Sequence, residues 1–476
     1  MSAQAVPAPP RRAGVRAGAR AAVARRPGGI TLLLLGCLAV GAVSLLSVSA
    51  PTYDPWAWII WGRELAHLDL VTTEGPSWKP LPVLFTTPFS VFGEDAAPQL
   101  WLVVARAGGL FAFAMAYRLG ERLAGLWAGV IAALSLVLCE SFIRDFARGN
   151  SEGMLVAIVL WAVERHLEGR RTQAFLLGFA AALLRPELWP LWGLYGLWLV
   201  YRAWDHGPPR REIAVVAGCA VACVLLWFLP EYLGSGDWLR AASRARTPNP
   251  GSPAFADSPF IEVFRRSQEL LTLPVYVGAL IATALGLWRR EHVRIALAAT
   301  AAILMVAVAS MTQFGFAGNL RYVELPAAFV CVLAGAGWVD LVRLARGRLG
   351  LVVAAALVAA IAVWWLPYAR DDGRRLRSDR ELTLYESEFY GPSLKAVIAE
   401  AGGVQRLKAC RRVFAGPYEV PAVAWRLGLH QNQIEIFAFG PGTVFAMRGT
   451  HLYSDPRYPV VTRSRDWVVR STCDRG

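Results

Sequence analysis

Residues 51–95 read PTYDPWAWIIWGRELAHLDLVTTEGPSWKPLPVLFTTPFSVFGED, a charged, Pro-containing and Trp-rich segment set between two apolar runs, 30–50 and 97–117. About 20 apolar residues suffice to cross bilayer hydrocarbon at about 1.5 Å per residue. The segment therefore reads as the first outer loop of a membrane protein. Further apolar runs follow at 123–139, 152–163, 173–184, 188–201, 213–230, 271–288, 295–311, 323–342 and 349–367, giving eleven expected spans. The runs 152–163 and 173–184 are short for a bilayer; they must tilt, borrow flanking residues or lie against protein. Within the loop, 79–93 is too short and Pro-rich to span and reads as a re-entrant or interfacial segment.

Composition agrees. The 476 residues are 55% hydrophobic and 18% charged, with a mean hydropathy of +0.40, whereas soluble domains run at about 45–50% and about 25%. A cytosolic enzyme, a disordered scaffold and a single-anchor receptor are excluded. The net charge of +14 comes from Arg, with only three Lys, at 79, 395 and 408. These cations fall in short clusters between spans, not on one groove-facing surface, so nucleic acid is not a partner. With the N-terminus cytoplasmic, loops 118–122, 164–172, 202–212, 289–294 and 343–348 hold 14 Lys and Arg in 37 residues. The outer segments 51–95, 140–152, 185–187, 231–270 and 312–324 hold 11 in 114. That asymmetry is the positive-inside pattern of a multi-pass plasma-membrane protein.

The expected organisation is a basic cytoplasmic tail over 1–29, a transmembrane region over 30–367, and a small extracytoplasmic α/β domain over 368–476. In the last, helices are expected at 393–401 and 420–429, with strands at 412–416, 434–439 and 460–469. The first run exceeds a signal-peptide core and is expected to be a retained span. Cys410 and Cys473 are the two Cys of the outer region, where an oxidising compartment permits their pairing.

Candidate chemistry gathers on the outer side. Asp54-Pro55 reads either as a helix cap or as a carboxylate at the membrane surface that could act as general base or bind a sugar hydroxyl or metal. The Trp-rich helix after it is expected to lie in the headgroup region. Lys79 is the one Lys among the first 394 residues; it suits either a phosphate headgroup or simple anchoring. Glu140, Asp145 and Glu152 sit in the second outer loop, and Glu152 could equally serve the helix dipole of the next span. Arg106 lies within a span, where an ionisable group is expensive. Arg185 and Glu187 share a tight outer turn and could neutralise each other. Arg321-Tyr322 opens the tenth span and could meet a phosphate. The polar, Pro/Gly-rich loop 231–270 is expected to be a mobile cover or a linker. No Walker motif, G-x-G-x-x-G, H-E-x-x-H or Cys–His zinc spacing occurs.

The order of these elements resembles the GT-C superfamily of polytopic glycosyltransferases, in the branch of protein O-mannosyltransferases and lipid A aminoarabinose transferases. The resemblance runs through Asp54 after the first span, Lys79-Pro80 with Pro82, Phe92-Gly93, Ala105-Arg106, the segment from Gly178 to Arg185-Pro186-Glu187, and Arg321-Tyr322 before Pro326. It covers roughly residues 30–345 and implies transfer of a hexose or pentose from a polyprenyl-phosphate donor to an envelope acceptor on the outer face. In that scheme Asp54 activates the acceptor, Lys79 and Arg321 with Tyr322 hold the donor phosphate, and Arg106, Arg185 and Glu187 support the site. Glu152 stands for the family's second-loop acid, which assists or binds a divalent ion. Two departures stand out: Pro55 occupies the place of a second acid, and Glu152 replaces a more usual Asp. The competing readings are a lipid or solute transporter, for which no internal repeat or midplane polar site is found, and a non-catalytic envelope-assembly protein, which would not need Asp54 or Lys79.

Overall fold

The computed structural model describes residues 28–205, 208–344, 347–410 and 412–473. Nearly all of the basic tail, residues 1–27, lies outside the described residues. All eleven apolar runs fold as helix: α1 (Gly28–Val43), α4 (Ala96–Ala124), α5 (Leu126–Val137), α7 (Glu152–Leu167), α8 (Arg171–Ala182), α9 (Trp189–Trp204), α10 (Arg210–Ser235), α13 (Leu273–Arg289), α14 (His292–Gln313), α15 (Glu324–Leu344) and α16 (Gly347–Glu388). Among the described residues, five helical stretches are long and apolar enough to cross a membrane by themselves: Gly29–Leu46, Ala96–Ala124, Arg210–Ser235, His292–Gln313 and Leu320–Leu344. Of the shorter ones, α5 and α13 lie against α15, so protein replaces much of the lipid around them. Small residues permit that closeness. A Cβ at Gly337 in α15 would collide with the Gly278 carbonyl of α13, and one at Gly335 with the Ala128 carbonyl of α5.

The segment 51–95 forms two helices, α2 (Tyr53–Ala66) and α3 (Pro80–Phe89). Pro80 at the first position of α3 suits its fixed φ, and Thr86 of α3 fits directly over Gly62 of α2. Within α2, Trp56, Trp58 and Trp61 are fully buried, because the helix packs against α3, α4 and the C-terminal domain. Trp58 meets Trp101 edge-on at 5.7 Å and Trp61 packs on Trp78 at 5.4 Å.

The 231–270 loop is also more ordered than its composition suggests, containing α11 (Arg240–Ala245) and α12 (Pro259–Ser267). Arg240 fastens α11 to the first loop by donating to the carbonyls of Pro76 at 2.8 Å and Gly75 at 3.1 Å. Polar backbone carbonyls, absent from a composition count, hold this segment down.

Helix α16 does not stop where its apolar run ends but continues to Glu388 across residue 368. Beyond it stand α17 (Leu394–Glu400), α18 (Gly403–Ala409), α19 (Val420–Leu427) and a mixed five-stranded sheet. Its strands are β1 (Val413–Ala415), β2 (Ile434–Glu435), β3 (Thr443–Met447), β4 (Val460–Arg463) and β5 (Trp467–Ser471), in the order β2-β1-β3-β5-β4. β1 runs parallel to β2 and β3, while β5 is antiparallel to β3 and β4. The strand expected at 434–439 is only two residues long, the one at 460–469 is two strands joined by a turn, and β3 was not anticipated. A disulfide joins Cys410 to Cys473. Trp467 of β5 stacks on Phe389 at 4.3 Å, and Trp425 of α19 donates to the Glu94 carbonyl at 3.1 Å. Asp95 receives Lys395 at 2.8 Å and Arg426 at 3.0 Å. The C-terminal domain thus backs α2, the helix that carries Asp54.

Candidate active site

Asp54 lies in the first turn of α2, but the cap position belongs to Thr52 and no side-chain cap bond is made. Instead, Asp54 Oδ2 accepts from Arg321 Nη2 at 2.9 Å. Arg321 belongs to a 3-10 turn, Leu320–Val323, that leads into α15, so the contact joins residues 267 positions apart. Both side chains keep some exposure, 13% for Asp54 and 23% for Arg321, as a site open to substrate requires.

Lys79 occupies the cap position of α3. A cation is unfavourable there by the helix dipole, so its place is not explained by helix stability. Together with the dipole it makes a strongly positive point, suited to an anion. The ammonium donates to Ser151 Oγ at 3.2 Å, lies 3.9 Å from Glu152 Oε1, and sits 5.0 Å over the Trp58 ring. Burial pushes its pKa down to about 8; neighbouring Arg185 adds to the depression and Glu152 opposes it.

Glu152 opens α7 with its side chain 1% exposed. It is engaged by Arg185 Nη2 at 2.5 Å, so it does more than complement a helix dipole. Arg185 also lies 3.8 Å from Glu187 and 4.2 Å over the ring of Tyr322, which Arg321 approaches from 5.6 Å. A guanidinium over an aromatic face is a favourable pairing. Seven expected residues, Asp54, Lys79, Glu152, Arg185, Glu187, Arg321 and Tyr322, therefore form one connected cluster drawn from five places in the chain.

Arg106 is apart from it. Its guanidinium donates to Ser44 Oγ at 2.8 Å, Ser49 Oγ at 2.9 Å and the Ala147 carbonyl at 2.9 Å. Those bonds tie the link after α1 to the second outer loop and satisfy a cation within a helix. Two acids extend the cluster instead. Asp145, whose pKa is raised by burial and then by Glu152, lies close to the buried Glu324, whose two carboxylate oxygens have no hydrogen-bond partner among the described residues. Glu324 falls three positions after Arg321, a spacing that puts both on one side of a helical turn; that was the available sign of it.

A cavity of about 570 Å³ opens at this cluster. Lys79, Arg185, Glu187 and Tyr322 line one part, and Trp227, Phe228, Ala307, Val308 and Met311 from α10 and α14 line another. Charge and apolar wall in one cavity suit an amphiphile. For a divalent ion the fit is poor: among the described residues no three His, Cys, Asp or Glu side chains converge as a metal would require.

The chain shares the fold of solved ArnT structures, and its multiple long apolar helices make it an integral membrane protein. It is similar to ArnT from Cupriavidus metallidurans bound to undecaprenyl phosphate, at 12% identity and TM-score 0.53, with 94% of this chain and 98% of that one covered. To the apo state of the same protein the values are 13%, 0.57, 93% and 98%. No protein-family model matches the chain, and no curated protein matches it by sequence.

Proposed function

We propose that this protein is a membrane glycosyltransferase that moves a sugar from a polyprenyl-phosphate donor to an envelope acceptor at the outer face. The observation that carries the reading is the pairing of Asp54 with Arg321 in one cluster with Lys79 and Tyr322, which themselves line a cavity with apolar walls. The similar structure with bound undecaprenyl phosphate supports the donor class. The basic inner loops support the orientation, with the N-terminus cytoplasmic and the region after residue 367 outside.

The polyprenyl chain lies along the apolar wall, and the phosphate meets Lys79 and Arg321 beside Tyr322. The acceptor hydroxyl oxygen attacks the anomeric carbon while the bond from that carbon to the phosphate oxygen breaks. The bonding pair leaves on the phosphate, where the fixed cations stabilise the developing charge. The acceptor proton passes to Asp54. Arg321 holds Asp54 in place before substrate arrives, and Glu152 with Arg185 fixes the floor on which Lys79 stands. No step is routed through a metal ion, because the acids present do not converge as ligands.

The test is transfer of radiolabelled hexose or pentose from polyprenyl-phosphate donors to envelope acceptors in proteoliposomes. Labelled acceptor is the expected result. Labelled lipid that crosses the bilayer without any transfer would replace this reading with a lipid transporter.

A further inference from the structure

A second polar cleft, of about 740 Å³, lies on the outer side between the segment 264–276 and the extension of α16 beyond the membrane run. It is separate from the cavity at Lys79, and the sugar-transfer reading assigns it nothing. Its lining includes Glu269, Asp371, Asp372 and Arg375, together with the ring of Tyr368.

Two of its side chains carry polar atoms that the fold leaves unused. Asp372 is only 3% exposed, and its Oδ2 has no hydrogen-bond partner among the described residues. The Thr272 hydroxyl is likewise buried and unpartnered. Thr272 stands at the cap position of α13 yet makes no side-chain cap bond, the usual use of a hydroxyl there. Leaving buried polar groups unpaired is costly, and two such groups lining one cleft point to a ligand with hydroxyls.

The charge balance narrows the class. The carboxylates do not stand alone: Asp371 is paired with Arg374 at 3.1 Å, and Arg375 lies 3.6 Å from Glu140. Donors and acceptors therefore share this lining with the aromatic residues Phe264, Tyr276 and Tyr368. A simple cation would find its acids already partly neutralised. A sugar, whose hydroxyls both donate and accept and whose C–H face packs on an aromatic ring, finds all it needs.

We propose that this cleft binds a neutral glycan segment. The binding does not depend on sugar transfer at the Lys79 cluster, although the two places touch through one loop. Arg144 in the second outer loop pairs with Asp379 at 2.7 Å, Arg148 pairs with Glu386, and the Glu140 amide donates to the Leu270 carbonyl at 2.9 Å. A glycan seated here lies beside the loop that carries Asp145 and Glu152.

The experiment uses the full chain in nanodiscs, titrated with neutral oligomannose, oligoarabinan and oligogalactan and read by saturation-transfer NMR. Wild type should bind at least one of them saturably. Asp372→Asn and Thr272→Val should each weaken that binding, the former roughly tenfold or more, while both retain wild-type undecaprenyl-phosphate binding as proof of folding. Lys79→Met should keep glycan binding. The proposal is overturned if no oligosaccharide binds wild type, if neither cleft variant changes the affinity, or if spermidine binds in an Asp372-dependent way and the glycans do not.

Discussion

Replacing Lys79 with Met keeps the length of the side chain and removes its charge. Lys79 holds Ser151 at 3.2 Å and stands 3.9 Å from Glu152, but Glu152 has a closer partner in Arg185 at 2.5 Å. The variant should therefore fold. A hydrogen bond to a charged group contributes about 1.5–3 kcal/mol, and about 1.4 kcal/mol is a factor of ten in affinity. Undecaprenyl phosphate should thus bind roughly 10- to 150-fold more weakly to Lys79→Met. Because burial depresses the ammonium to about 8, the charged form is lost from the free protein as pH rises through that value. Wild-type affinity should fall across the same range, and the Met variant should lack that limb of the profile. Native mass spectrometry or thermophoresis in nanodiscs gives the affinities. Equal affinity of both proteins at pH 7, with both folded, would refute the assignment of Lys79 to the phosphate.

Glu152→Ala should leave Arg185 and Lys79 buried without their shared anion, a loss on the order of 3–5 kcal/mol for a broken buried pair; its thermal midpoint should drop well below that of Glu187→Gln, whose contact with Arg185 is longer at 3.8 Å. Gly337→Val should prevent α13 and α15 from closing and yield little monodisperse protein on size exclusion, whereas Gly36→Val, with open space around it, should behave as wild type. Removing the Cys410–Cys473 bridge, which closes a separation of 63 residues, should destabilise the outer domain by about 4 kcal/mol on the chain-entropy account, measured by limited proteolysis. After mild reduction, a membrane-impermeant maleimide should label the exposed Cys473 in intact cells; protection of Cys473 there, with labelling after permeabilisation, would contradict an external C-terminal domain.

The helices were legible because apolar runs are a direct consequence of burial in lipid, and each of the eleven runs became a helix. What hydropathy could not show was where a helix ends once it leaves the membrane. The sequence from Tyr368 to Glu388 is polar and charged, yet it continues α16, since helix formation needs neither an apolar face nor a lipid neighbour. Strand β3 was missed because five residues flanked by Gly and Pro carry little pattern, and its partners lie on both sides of it in space. Composition also could not show that the Trp rings of α2 are enclosed: the rings that favour a headgroup region also fill a protein core, and here α3, α4 and α19 cover them. At the site, sidedness alone grouped Asp54, Lys79, Glu152, Arg185 and Arg321. Sidedness left Arg106 within a span and only the resemblance joined it to the site, whereas its partners are two Ser hydroxyls and a carbonyl; sidedness also did not single out Glu324, an acid placed close to Asp145 from another loop.

The central claim is that Asp54, held by Arg321, accepts the proton of the acceptor. Its most direct test is sugar transfer from a polyprenyl-phosphate donor by wild type and Asp54→Asn in parallel proteoliposomes, with undecaprenyl-phosphate binding measured on the same preparations. The variant should fold, bind the lipid and transfer no sugar. Transfer at the wild-type rate by a folded Asp54→Asn protein would contradict it.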